Sequence, residues 1–223
     1  MQFIEYADAE LMMMTLADIL AGQLRQALAL GQRASLAVPG GTTPGPIFDS
    51  LCAVDIDWSR VDILLTDERW VPETSDRSNT RLLRQRLLTN RAAAAQLVPL
   101  YADAATPEEK LAELEAGVAA ALPLSVVLLG MGADMHTASL FPGADRLDDA
   151  LNGTGLLVPM RAAGAPEPRI TLSAAVLNGA MNRHIVITGA AKRTAFERAK
   201  GLTPAVAPVA AVLKGAIIHW AEN

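Results

Sequence analysis

The chain has 223 residues, 51% of them hydrophobic, which is ample for a sizeable core; length alone allows one or two domains, and α/β chains this long often fold as one, here residues 1–223. Its net charge is −5 with no basic run, which argues against general nucleic-acid binding, so an anionic ligand would need locally placed arginines or lysines. Cys52 is the only cysteine, so no intramolecular disulfide can form, and the acidic start MQFIEYADAE lacks a signal peptide's basic and apolar regions; a cytoplasmic protein is expected.

Gln2 to Tyr6 alternates as a short edge strand. Asp8 caps a helix to about Leu30, with Gly31 as its natural stop. This is the longest apolar region, but Asp18, Gln23, Arg25 and Gln26 interrupt it, so it is an amphipathic helix and no membrane span. Ala34 to Val38 is the next strand. Pro39-Gly40-Gly41-Thr42-Thr43-Pro44 follows it, and Pro44 suits the first position of a helix through about Leu51. A strand, a glycine turn and a helix start bring free backbone N–H groups and the helix dipole to a phosphate.

Val61 to Leu65 is a third buried strand and leads into the loop Thr66-Asp67-Glu68-Arg69-Trp70-Val71-Pro72. Ser78 caps a helix through Leu88. Thr106-Pro107-Glu108-Glu109 is a capping box opening a helix to about Ala121. Leu156 to Met160 is a strand, and Arg169 to Ser173 leads into a short helix. His184 to Thr188, a helix from Ala191 to Lys200, and a strand from Ala216 to Trp220 complete the chain. Strands alternating with helices predict an α/β fold: a doubly wound, mainly parallel sheet with helices on both faces.

The most informative stretch is Ser125 to Gly143. Ser125 to Leu129 is a continuous apolar run, as in a parallel strand buried on both faces. Gly130 and Gly132 turn the chain at its end, and Asp134, Met135, His136, Thr137 and Ser139 follow. Ligands of open α/β sheets bind outside the carboxyl ends of the strands. His136 is therefore a candidate general base, with Asp134 near enough to orient it. Other motifs fail. The Gly130 stretch lacks the third small residue of a dinucleotide fingerprint, the Gly40 loop lacks a P-loop ending, and no Gly-x-Ser-x-Gly occurs. His136, His184 and His219 share no metal-ligand spacing, so neither metal nor cofactor is expected.

Gly130-x-Gly132-x-Asp134-x-His136-Thr137-Ala138-Ser139-Leu140-Phe141-Pro142 resembles the signature segment of the 6-phosphogluconolactonases, sugar-phosphate lactone hydrolases related to the glucosamine-6-phosphate deaminases. Gly40-Gly41-Thr42-Thr43-Pro44 resembles the loop both groups place near the sugar phosphate. Asp67-Glu68-Arg69, with Ser78-Asn79 about ten residues on, is similar to the lactonase pattern; the deaminases run Asp-Glu-Tyr instead. Arg169-Ile170-Thr171 and Thr188-Gly189-x-x-Lys192 resemble two further family segments. The ordered set spans Leu36 to about Trp220.

The resemblance implies a modified Rossmann-like, NagB-type fold and hydrolysis of 6-phospho-D-glucono-1,5-lactone by a monomer or weak dimer. His136 would be the base, and Asp134 or Asp67 would orient it or its water. Gly40, Gly41, Thr42, Thr43, Arg69, Arg169 and Lys192 would hold the phosphate and the developing oxyanion. A deaminase-like isomerase and a non-catalytic sugar-phosphate sensor are the alternatives. The family carries Gly where this chain has Met135. We expect an ordinary φ there, with the thioether packing against the loop.

Overall fold

The computed structural model describes residues 1–223. It begins with β1 (Gln2–Glu5) and α1 (Ala9–Leu30), capped by Asp8, whose carboxylate accepts the Leu11 amide at 2.7 Å. Met12, Leu16, Leu20 and Leu24 form the buried stripe of α1 at helical spacing. Gly31 ends the helix in an extended conformation, with φ −135° rather than a left-handed turn. After β2 (Ala34–Val38) comes α2 (Gly45–Leu51), with Pro44 as its N-cap, one residue earlier than a first-turn proline would sit.

β3 (Val61–Leu65) is followed at once by β4 (Asp67–Arg69), a three-residue strand where a loop was expected. α3 (Asn79–Arg86) starts at Ser78, whose hydroxyl accepts the Arg81 amide. β5 (Gln96–Val98) has no counterpart in the sequence reading. The Thr106 capping box is present, but it opens a 3-10 turn, Pro107–Lys110, before α4 (Leu111–Ala120) begins. β6 (Val126–Gly130), α5 (Leu147–Asn152), β7 (Leu157–Ala162), β8 (Ala165–Leu172), α6 (Ala174–Asn178), β9 (Asn182–Thr188), α7 (Ala190–Ala199) and β10 (Ile217–Ala221) complete the order.

Seven strands form one parallel sheet in the order β1-β10-β9-β6-β2-β3-β5. β2 and β3 are buried along their whole length, as expected of parallel strands covered on both faces. The chain moves from β1 to β2 and on to β3 in one direction along the sheet and from β9 to β10 in the other, and parallel crossovers are right-handed as a rule. That puts α1 and α2 on one face of the sheet and α7 on the opposite face. The doubly wound, mainly parallel expectation is therefore met. A second sheet was not foreseen: β4, β8 and β7 pair antiparallel, so Leu157–Ala162 belongs to it and not to the parallel sheet. No helix is long and apolar enough to cross a membrane.

Strands β2 and β6 are neighbours, but the chain leaves β2 towards β3 and leaves β6 towards β9. This is a topological switch point, where the two loops diverge and open a crevice at the strand ends. The Gly40 loop and the His136 loop are the loops that leave it.

Candidate active site

At this switch point lies an open cleft of about 390 Å³ whose wall is mostly polar. The β2 loop contributes Gly40, Gly41 and Thr43, the β6 loop Gly130, Gly132, His136 and Phe141, and the second sheet Asp67, Arg69 and Arg169. Val186 of β9 and Lys192 in the first turn of α7 close the far side. Of the residues expected at a site, only Thr42 and Asp134 lie outside the lining. The Thr42 side chain is exposed, and its carbonyl accepts the Gly45 amide to shape the turn.

The His136 loop is tightly wound. The Gly132 amide donates to the His136 carbonyl at 3.0 Å, the Met135 amide donates to the Gly132 carbonyl, and the Thr137 hydroxyl donates to the Gly130 carbonyl at 2.8 Å. Asp134 Oδ1 lies 2.5 Å from His136 Nδ1 and also accepts the His136 amide. A carboxylate only accepts, so Nδ1 carries a proton, and Nε2 has no protein partner. Phe141 packs against the imidazole with ring centroids 4.6 Å apart.

Met135 departs from expectation. Its φ is +67°, in the left-handed region, so the ordinary backbone predicted for it is corrected. The loop must reverse within Gly132–His136, a need that a glycine would answer without a Cβ. Here the side chain is buried, and Val209 donates its amide to the Met135 carbonyl at 3.0 Å, so both ends of the strained residue are held. Ala138 is also left-handed, at φ +48°.

Antiparallel pairing builds the other wall. Asp67 faces Thr171, Glu68 faces Ile170, and Arg69 faces Arg169. Side chains alternate along a strand, so Asp67 and Arg69 share the cleft face while Glu68 points away from it. Glu68 is fully buried and accepts from the amides of Arg69, Asn79 and Thr80 and from the hydroxyls of Ser78 and Thr80. It thereby ties β4 to the N-terminus of α3. Asp67 Oδ2 accepts the Ser139 hydroxyl at 2.6 Å and lies 3.8 Å from Arg169 Nη1. Its Oδ1 also accepts the Thr66 hydroxyl, and no hydrogen bond or ion pair joins Asp67 to His136. Of the two carboxylates considered for orienting the imidazole, Asp134 is the one that touches it.

Arg69 and Arg169 stand directly opposite each other, and each has a buried Nε with no partner. Burial lowers the Arg169 guanidinium pKa from its ordinary value, Asp67 opposes this, and Arg69 adds to the lowering. Burial likewise lowers the Lys192 ammonium pKa, and no carboxylate bonds to it. Three under-compensated cations therefore line one cleft. Such a set suits an anion. No group of three or more His, Cys, Asp or Glu side chains is arranged to hold a metal ion.

The model of the family described as glucosamine-6-phosphate isomerases/6-phosphogluconolactonase matches residues 7–220. This chain belongs to that family. A 6-phosphogluconolactonase of Rhizobium meliloti is 43% identical over 215 residues, covering 92% of both chains. The crystal structure of a 6-phosphogluconolactonase from Shewanella baltica superposes with a TM-score of 0.92 at 34% identity, over 99% of this chain and 97% of that one. A monomeric glucosamine-6-phosphate deaminase shares the fold alone, with a TM-score of 0.82 at 15% identity over 99% and 97%. The cleft of this family member also holds side chains that motif reading left unassigned. Asn79 lies against Gly40 and donates its amide to the Asp67 carbonyl at 3.1 Å, and a Cβ on Gly40 would overlap it. Only the spacing of Ser78-Asn79 from Glu68 hinted at this. Ser139 and Phe141 lay inside the signature segment, but their partners on β4 and beside His136 come from the fold.

Proposed function

We propose that this protein hydrolyses 6-phospho-D-glucono-1,5-lactone to 6-phosphogluconate, the lactonase step of the oxidative pentose phosphate route. The lactone carbonyl is electrophilic enough to be attacked by water directly. His136 Nε2 takes a proton from that water as its oxygen bonds to C1. The tetrahedral intermediate collapses with cleavage of the bond from C1 to the ring oxygen. His136 returns the proton to that oxygen, which becomes a hydroxyl, and the carboxylic acid formed at C1 releases its remaining proton to solvent to become the carboxylate. Asp134 holds the tautomer and stabilises the imidazolium formed in between. Arg69, Arg169, Lys192 and the amides of Gly40 to Thr43 together hold the phosphate and the developing oxyanion.

The observation that carries this reading is the His136–Asp134 contact on Nδ1, which leaves Nε2 without a protein partner in a cleft lined by Arg69, Arg169 and Lys192. A monomer or weak dimer in the cytoplasm fits it, since one chain carries every residue of the cleft named above and Cys52 is a free thiol. An assay comparing the lactone with glucosamine 6-phosphate tests it. Turnover of the lactone alone is expected, and His136→Gln should lower kcat by about 10²–10⁴-fold. Deamination of the amino sugar, binding without turnover, or a fully active His136→Gln would each reject it.

A further inference from the structure

Phe141 is given no role by the lactone chemistry above, yet it is the aromatic neighbour of the base. Its ring centroid lies 4.6 Å from that of His136, with the planes tilted by 38°. The Arg169 guanidinium carbon lies 5.7 Å from the same ring. Phe141 also lines the cleft. Asp134 reaches the imidazole only at its edge, at Nδ1, and no hydrogen bond supports the face of the ring. Gly132 lies close to the ring, since even a Cβ there would overlap His136. The side chain that packs on the imidazole itself is Phe141.

We propose that Phe141 is a positioning residue that sets the plane of the His136 imidazole and stabilises its protonated form; this rests on His136 being the general base. A neutral imidazole gains little from an aromatic face beyond contact, whereas the imidazolium formed after proton abstraction is a cation within about 6 Å of a ring centroid, where the ring quadrupole attracts it. The interaction therefore strengthens between the resting state and the transition state, which is the condition for raising kcat. The charged groups around His136 act on the same equilibrium. Asp134 in its own loop favours the imidazolium. Across the cleft, Arg69 on β4, Arg169 on β8 and Lys192 on α7 oppose it, while Asp67 on β4 partly offsets them.

The test is Phe141→Leu, which keeps apolar bulk and removes the π face, beside Phe141→Tyr, which keeps the face. Both are assayed for kcat, KM and the pH dependence of kcat/KM on the lactone, with unfolding midpoints recorded. Phe141→Leu should lower kcat about five- to tenfold with KM within about twofold, the loss of one partly desolvated cation–π contact. The acid limb of its kcat/KM profile should move to lower pH, because the imidazolium has lost a stabilising neighbour. Phe141→Tyr should restore both. His136→Gln runs alongside: if it stays active, the base assignment fails and this inference with it. If His136→Gln is inactive but Phe141→Leu keeps its kcat and acid limb, Phe141 does not act on the base. A rise in KM alone would overturn the proposal and make Phe141 a contact of the Arg169 side. If Phe141→Leu does not fold, a Phe141→Tyr profile shifted from wild type with a wild-type unfolding midpoint would overturn it.

Discussion

A methyl group on Gly132 would overlap the His136 imidazole and the Asp134 carboxylate, neither of which is free to retreat because each holds the other. Gly132→Ala is therefore expected to displace the base while leaving the fold intact. Misplacement by about 1 Å can cost on the order of 10²-fold in rate, so kcat should fall by about that factor with the unfolding midpoint little changed. A wild-type kcat would mean the ring can move without loss. Met135, three residues on, sets two effects against each other. A left-handed conformation costs an L-residue about 1–2 kcal/mol, whereas burying a methionine side chain contributes about 1.5–3 kcal/mol. Burial outweighs strain, which is how this chain tolerates a side chain at a left-handed position. Met135→Gly should then be destabilising even though it relieves the backbone. Met135→Ala should be worse, since it loses the burial and keeps the strain. Unfolding free energies in the order Met, Gly, Ala support this account, and Ala above Gly would sink it.

The pairing of β4 with β8 puts Arg69 directly opposite Arg169, and like charges so placed disfavour a sheet pair by about 0.2–1 kcal/mol. With both Nε atoms buried and unpartnered, the free protein holds these cations in a state that an anion relieves. Inorganic phosphate should accordingly raise the unfolding midpoint more than chloride of equal ionic strength does, by the ordinary linkage of binding to stability. Arg169→Gln should lose most of that gain. Equal effects of the two salts would show that the cations are screened, not bound. The same two strands show why part of the fold was hidden in the sequence. The parallel strands were legible because burial on both faces writes a continuous apolar run, as in Ala34–Val38 and Val61–Leu65. Asp67-Glu68-Arg69 has no apolar residue, and Ala165–Leu172 contains Pro166 and Pro168, which normally argue against a strand. Both are strands because they find each other. Glu68 followed from that miss: its turn away from the cleft depends on the alternation only a strand imposes. The glycine-marked loops after β2 and β6 were legible as a site, because their chemistry is local to each loop.

Outside the cleft lining, a buried hydrogen-bond chain joins elements from both ends of the sequence and carries the clearest pH dependence of the molecule as a whole. Tyr6, just past β1, bonds through its hydroxyl to His219 Nδ1 on β10 at 2.8 Å. His219 Nε2 meets His184 Nδ1 on β9 at 2.9 Å, and His184 Nε2 meets Gln23 Oε1 on α1 at 2.9 Å. One assignment satisfies every link: an amide oxygen only accepts, so His184 Nε2 carries a proton and its Nδ1 accepts from His219 Nε2–H. His219 Nδ1 then accepts from the Tyr6 hydroxyl. Both histidines must be neutral, and burial depresses them accordingly, His184 to about 4 and His219, beside it, to about 3. Unfolded, each takes up a proton near pH 6.5. Between that value and the depressed ones the unfolded chain binds more protons than the folded one, so stability falls as pH falls. Asp49, Glu108 and Glu167, held low by their arginine partners, add a similar loss only at lower pH, near the ordinary carboxylate range. The window from about pH 6.5 to 4.5 thus belongs to the histidine pair. A loss of a few kcal/mol is expected there, with a limiting slope of about 2.7 kcal/mol per pH unit if both protonate only on unfolding. His219→Gln keeps one acceptor for Tyr6 and one donor for His184 while removing a titrating group. Its unfolding free energy should fall less steeply than wild type across the window. Parallel curves for the two proteins would show that this buried chain does not set the acid sensitivity of the fold.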